Sequence, residues 1–239
     1  AWRMGEDSAL LALVSSANIA CGFHAGDPVI MQRTVAEAAA RGVAIGAHVS
    51  LPDLQGFGRR EMAVTPAEVH AMTLYQLGAL HGFTRTAGTT VAHVKPHGAL
   101  YNMAARDRAL ADAIADAVHA FDPSLRLFGL AGSALLDAGR AVGLAVVSEA
   151  FADRRYRADG SLQPRREPAA VITDDAEATA QARRMATDGT HTAVDGSAVQ
   201  LEADTRCLHG DGAHAVAFAR SLRAALEQAG LRIVAPGVA

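Results

Sequence analysis

Short apolar segments alternate with amphipathic stretches along almost the whole chain, and this alternation limits the fold more than any other feature. Segments 16–21, 43–48, 90–95, 126–130, 144–149 and 205–209 have the length and apolar content of buried strands. Between them lie helices whose ends are legible. Pro28 suits the first turn of a helix that Gly42 closes. Thr65-Pro66-Ala67-Glu68 is a capping box ahead of a helix reaching Gly88. Further helices are expected over 7–14, 104–121, 133–143, 174–188 and 211–230, with Asp7 capping the first. A β-hairpin is expected over 190–201, turning at Asp195-Gly196, a long polar loop over 153–168, and a last short strand at 231–234.

Repeated strand–helix units imply a parallel sheet with right-handed crossovers. The chain opens on a helix, as if its first strand were missing, and Ala1-Trp2-Arg3 lacks an initiator methionine. Restoring one strand gives about seven, close to the eight of the familiar (β/α) barrel. No repeat, low-complexity tract or linker divides the sequence, so one domain over 1–239 is expected.

Composition matters here for what it excludes. A net charge of −3 argues against nucleic acid, which demands a basic face. No apolar run approaches the roughly 20 residues that span a bilayer. Cys21 and Cys207 are too few for a disulfide framework, which points to a reducing cytoplasm. Of the 22 basic residues only Lys95 is lysine, which makes it a candidate for work that arginine cannot do, such as holding a compact ammonium, although chance can also leave a single lysine.

Polar residues gather where the strands end. The first segment leads into Asn18 and then His24; the second ends in His48, with Asp53 beyond; the third ends Lys95-Pro96-His97, with Tyr101 and Asn102 following. The fifth ends in Glu149, ahead of Asp153-Arg154, and the sixth in His209-Gly210-Asp211 at a helix start suited to an anion. Only the strand ending at Leu130 finishes without an ionisable group. In a parallel barrel such ends converge on the face where active sites are built. Each group has a plainer reading: a buried histidine is usually only hydrogen-bonded, Glu149 and Asp211 can cap the next element, and Lys95 and His97 can flank a pocket rather than share a face. No phosphate-binding loop, nucleophile elbow, zincin helix or dinucleotide fingerprint is present. Histidines and carboxylates without a nucleophile elbow suggest water attack. His24, His48 and His97 could supply imidazoles to a divalent metal.

The runs from Ser15 to Pro28, Gly46-Ala47-His48, Pro52 to Arg60, Val94 to Asn102, Glu149 to Arg154 and His209-Gly210-Asp211 together resemble the LamB/YcsF family. The resemblance implies a seven-stranded (β/α) barrel related to glycoside hydrolases and deacetylases. It also implies an activity: 5-oxoproline, ATP and water give glutamate, ADP and phosphate, with two further 5-oxoprolinase subunits, B and C. Family members open with an acidic strand ahead of the segment matching Trp2 to Gly5, and this chain lacks it. On this basis His24, His48, Lys95, His97 and Glu149 are the catalytic candidates. Asn18, Asp53, Arg59, Tyr101, Asp153, Arg154, His209 and Asp211 are the substrate-binding candidates. His24 or His48 would serve as base, Lys95 would stabilise developing negative charge, and Arg154 would grip the substrate carboxylate. Two rival readings are a stand-alone metal-dependent amide hydrolase or deacetylase, and a non-catalytic binding or regulatory subunit. A homo-oligomer is compatible with either.

Overall fold

A computed structural model describes residues 7–210 and 214–237. The fold is α/β, with a parallel sheet of six strands hydrogen-bonded in the order β1-β2-β3-β4-β5-β8. These are β1 Ser16–Ala20, β2 Ala44–His48, β3 Val91–Val94, β4 Arg126–Leu130, β5 Ala145–Phe151 and β8 Thr205–Cys207. They are the six strands the sequence predicts. β6 Thr190–Thr192 and β7 Ala198–Gln200 form the expected antiparallel hairpin.

The chain divides into two compact units, and β5 starts in one and ends in the other. In the first, described residues 15–147, β1 pairs with β2 from Ser16↔Ala44 to Ala20↔His48, and β2 with β3 at Gly46↔His93. Four helices cover these strands: α2 Pro28–Ala40, α3 Pro66–Thr86, α5 Arg108–Phe121 and α6 Ala134–Ala141. α5 lies against both α3 and α6. Leu77, Leu80, Ile114, Leu135 and Leu136 are essentially sealed from solvent there. Each such side chain contributes roughly 1.5–3 kcal/mol by leaving water. The capping box of α3 forms as read: Thr65 N–H donates to Glu68 Oε2 at 2.7 Å, and Glu68 N–H donates to Thr65 Oγ1 at 3.2 Å.

The stretch after His97 differs from expectation. Instead of one helix from 104 there are two, α4 Gly98–Arg106 and α5, broken at Asp107. The Asp107 carboxylate accepts from the N–H groups of Ala109 and Leu110, an N-cap that restarts the helix and competes with its continuation.

The second unit holds described residues 7–14 and 148–237, with α1 Asp7–Leu11, α7 Asp175–Thr187 and α8 Ala215–Gln228. The side chain of Asp7 lies outside the described residues, as do residues 211–213, where the last helix was expected to start. Residues 231–234 form no strand. Leu231 and Ile233 instead pack on a core of Ile172, Ala178, Phe218, Leu222 and Leu226, so their alternation serves packing without a ladder.

Candidate active site

In the first unit, period-two alternation puts chemistry on one face of three neighbouring strands. Asn18, Gly46 and His93 stand in register across β1, β2 and β3. Gly46 provides the space between them: a Cβ there would come within 2.5 Å of the His93 ring's Cε1. Through that gap His93 Nε2 meets Asn18 Oδ1 at 2.9 Å, and the ring stacks on Phe128 with centroids 4.1 Å apart. Burial, then the charges of Lys95 and Arg126, lower the His93 pKa to about 3, so it is neutral.

One step towards the carboxyl end, the ladder continues beyond β3. Lys95 N–H donates to Ala47 O at 2.9 Å and His97 N–H to Val49 O at 2.8 Å. This extension carries Lys95 and His97 alongside His48. His24 enters from the loop after β1, and its ring stacks on His97 at 4.0 Å between centroids. One ring nitrogen from each of His24, His48 and His97 lies within 4.8 Å of the other two.

The hydrogen bonds fix which nitrogens carry hydrogen. His48 Nδ1 faces Lys95 O at 2.8 Å, and His97 Nε2 faces Phe57 O at 2.8 Å. A carbonyl oxygen only accepts, so both of those nitrogens donate. The remaining nitrogens, His48 Nε2 and His97 Nδ1, lie 3.0 Å apart, and in neutral rings each presents a lone pair to the other. Burial is the main force keeping all three rings neutral. It lowers His24 to about 4, with Arg59 assisting, and His97 to about 2, with His24 assisting. It also holds His48 well below its ordinary value, with His97 and Lys95 adding to the effect. His24 Nδ1 is buried without a hydrogen-bond partner among the described residues.

The loop from Pro52 to Arg60 holds the Phe57 carbonyl in place. Asp53, almost fully buried, accepts from Gly56 N–H at 2.9 Å and from Arg60 Nε at 2.9 Å, and it pairs with the Arg60 guanidinium. Its own carbonyl accepts from Gly58 N–H at 2.8 Å. Between these anchors Phe57 takes φ +54°, a left-handed conformation that a bulky residue adopts only when its surroundings impose it. Gly58 follows at φ +66°, and a Cβ there would meet the His24 Cβ and the His97 ring at 2.9 Å. The Asp53 carboxylate thus shapes its own loop. Arg59 is exposed, with its guanidinium 4.9 Å from the Phe57 ring centroid. The buried Lys95 Nζ lies 5.7 Å from the centre of the Tyr101 ring.

The second unit carries its own polar group. His209 Nδ1 donates to Asp153 Oδ2 at 2.7 Å, and Arg165 Nη2 donates to His209 Nε2 at 2.7 Å. Burial alone would raise the Asp153 pKa, but the His209 hydrogen bond and charge hold it below the usual carboxylate value. Glu149 is buried in β5, with its backbone in register with Thr205 of β8. Arg154 is buried, and it donates to the carbonyls of Gln163 at 2.5 Å and Ala170 at 3.3 Å, which ties down the long polar loop. Tyr156, fully buried, accepts the Phe151 N–H on its hydroxyl at 2.6 Å. Asp211 lies outside the described residues.

Asn18, His24, His48, Asp53, Arg59, Lys95, His97 and Tyr101 therefore belong to the first unit, and Glu149, Asp153, Arg154 and His209 to the second. Sequence reasoning missed His93, Phe57 and Arg165. His93 had a usable signal, standing in an apolar strand two residues before Lys95 and so on its face. Phe57 acts through its backbone carbonyl as well as through its ring, which stands edge-on to His24 and His97 with centroids 5.6 and 5.3 Å away.

Comparison with known proteins places this geometry in context. The LamB/YcsF family model matches residues 1–238. The A subunit of the 5-oxoprolinase from Methylococcus capsulatus is 59% identical over 236 residues, covering 99% of this chain and 91% of the relative. Its counterpart from Tolumonas auensis is 58% identical over 234 residues, covering 98% and 93%. The crystal structure of a lactam utilization protein from Thermus thermophilus superposes with a TM-score of 0.92 at 51% identity, covering 98% of this chain and 93% of that one.

Proposed function

Because the chain belongs to the LamB/YcsF family, we propose that it acts as the A subunit of a 5-oxoprolinase, opening the lactam ring of 5-oxo-L-proline to L-glutamate with subunits B and C. The observation that carries this reading is the convergence of the His24, His48 and His97 imidazoles, with one ring nitrogen of each within 4.8 Å of the others, next to the charge of Lys95.

The lactam is a resonance-stabilised amide and resists water. Transfer of the ATP γ-phosphoryl group to the lactam oxygen would turn that oxygen into a leaving group, which accounts for nucleotide consumption. Water then adds to the same carbon, the C–N bond breaks as the ring nitrogen takes a proton to leave an acyl phosphate, and a second water displaces phosphate to give the new carboxylate. His24, whose Nδ1 has no partner, is the base towards water. His48 and His97 complete the imidazole wall, and the Lys95 ammonium stabilises the developing negative charge, an effect of about 3 kcal/mol for one such contact. Arg59, close enough to depress both His24 and His97, is the better grip for the substrate carboxylate, since Arg154 is engaged with its own loop. Asn18 fixes His93 beneath this layer, and Asp53 and Tyr101 hold the Phe57 loop and Lys95. The same reading includes a cytoplasmic site of action. Among the described residues no helix is long and apolar enough to cross a membrane.

The test is glutamate release from 5-oxoproline by the purified chain, with and without ATP and each partner subunit. Release only with all three subunits and ATP is expected. ATP-independent release by the chain alone would replace the proposal with a stand-alone amide hydrolase. Full turnover by an assembled His97→Ala complex would make this a non-catalytic subunit.

A further inference from the structure

We propose that His24, His48 and His97 form a binding site for one divalent transition-metal ion, with His48 Nε2 and His97 Nδ1 as two of its ligand atoms. The inference concerns the same imidazoles as the proposed hydrolysis but stands on their geometry alone. Two backbone carbonyls, Lys95 O and Phe57 O, take the N–H of His48 and His97 and force both remaining lone pairs into a 3.0 Å gap. Two lone pairs that close repel unless a cation lies between them. A proton bridges only two nitrogens, whereas three ring nitrogens converge here, one from each histidine. A metal differs from a proton in drawing on several lone pairs at once. His24, 1% exposed, supplies the third ring and keeps an unpartnered Nδ1.

The dimensions fit. Tetrahedral zinc–imidazole bonds of about 2.0–2.1 Å put neighbouring ligand nitrogens about 3.3 Å apart, and the three nitrogens here lie within 4.8 Å of one another. Backbone carbonyls commonly accept the distal N–H of a metal-bound histidine and so fix its tautomer and ring direction. Three neutral ligands leave the ion its full double charge. With Arg59 and Lys95 nearby, that charge selects an anion, such as hydroxide or a carboxylate, for the remaining position. The all-nitrogen donor set favours zinc, cobalt, nickel or copper over magnesium or calcium, which prefer oxygen.

The experiment uses the full chain after dialysis against a chelator, titrated with Zn²⁺ by calorimetry and with Co²⁺ by absorption, without any substrate. One ion per chain at micromolar or tighter affinity is expected, with intense cobalt ligand-field bands of a four-coordinate site. His48→Ala and His97→Ala should each weaken binding by at least 100-fold, whereas His119→Ala, on the exposed face of α5, should not change it. Wild-type protein that binds no stoichiometric ion, or ¹⁵N spectra showing a His48–His97 pair sharing a proton at neutral pH, would overturn the proposal. Because the readout needs neither 5-oxoproline nor partner subunits, a failed titration leaves the hydrolytic reading with His24 as its base, a bound ion takes that lone pair and passes the role of base to another group, and failure of the hydrolytic reading leaves the metal site standing.

Discussion

Gly46→Ala tests whether the layer beneath the imidazole trio is built as described. The added methyl would occupy the space through which His93 reaches Asn18, so the ring must swing away from both Asn18 and Phe128. Forcing a methyl into a close-packed interior costs roughly 1–3 kcal/mol. Leaving the buried Asn18–His93 bond unmade costs roughly another 1–3 kcal/mol. Against this, alanine in a strand gains about 0.5–1 kcal/mol over glycine through the unfolded chain. The net expectation is a loss of about 3 kcal/mol in urea unfolding. The cause is checked by a double-mutant cycle with His93→Ala, which empties the contested space. In that background Gly46→Ala should cost almost nothing, giving a coupling of at least about 2 kcal/mol. Additive single effects, with coupling below about 0.5 kcal/mol, would refute the reasoning, because the methyl would then be opposed by something other than the His93 ring.

Three further outcomes follow from the same geometry. His93 has a folded pKa of about 3 against an ordinary 6.5, so below pH 6.5 the unfolded chain takes a proton that the folded one refuses. His93 should therefore add up to about 1.4 kcal/mol per pH unit to the loss of stability between about 6.5 and 3, beside like contributions from His24, His48 and His97, and His93→Gln should make the slope shallower by that amount in parallel urea titrations; parallel slopes would contradict the assignment. Lys95→Arg should lower turnover of the assembled complex about 100-fold, because a planar guanidinium cannot replace a compact ammonium beside Tyr101, and unchanged turnover would remove Lys95 from the chemistry. Tyr156→Phe should cost about 1–3 kcal/mol in thermal or urea unfolding by stranding the Phe151 N–H in a sealed interior, and a neutral result would mean that the N–H finds another partner.

Much of the fold was legible because its determinants are local. The six strands follow from short apolar runs, and α3 from Thr65 and Glu68, whose side chains read the same in sequence and structure. The failures have equally local causes seen from the other side. Asp107 looked like an ordinary helical residue, yet its carboxylate out-competes the backbone for two N–H groups and splits the helix. Leu231 and Ile233 alternate like a strand, but they spend that alternation on the α7–α8 core. The histidines of the site were legible as strand-end residues. Their arrangement was not, since it depends on contacts across 47 and 40 positions of chain, from His48 to Lys95 and from Phe57 to His97.

Those two contacts also explain why the loop from Pro52 to Arg60 belongs to the site. Asp53 and Arg60 lock the loop, and the lock holds Phe57 in a backbone conformation it would not choose. The conformation delivers one carbonyl oxygen to His97 Nε2, and this decides that Nδ1, not Nε2, turns its lone pair towards His48. A charged pair at 53 and 60 thereby sets the tautomer of a ring it never touches. Any chemistry done by the three imidazoles depends on that choice, because a His97 ring flipped to the other tautomer would donate to His48 and leave no converging lone pairs to hold a proton or an ion.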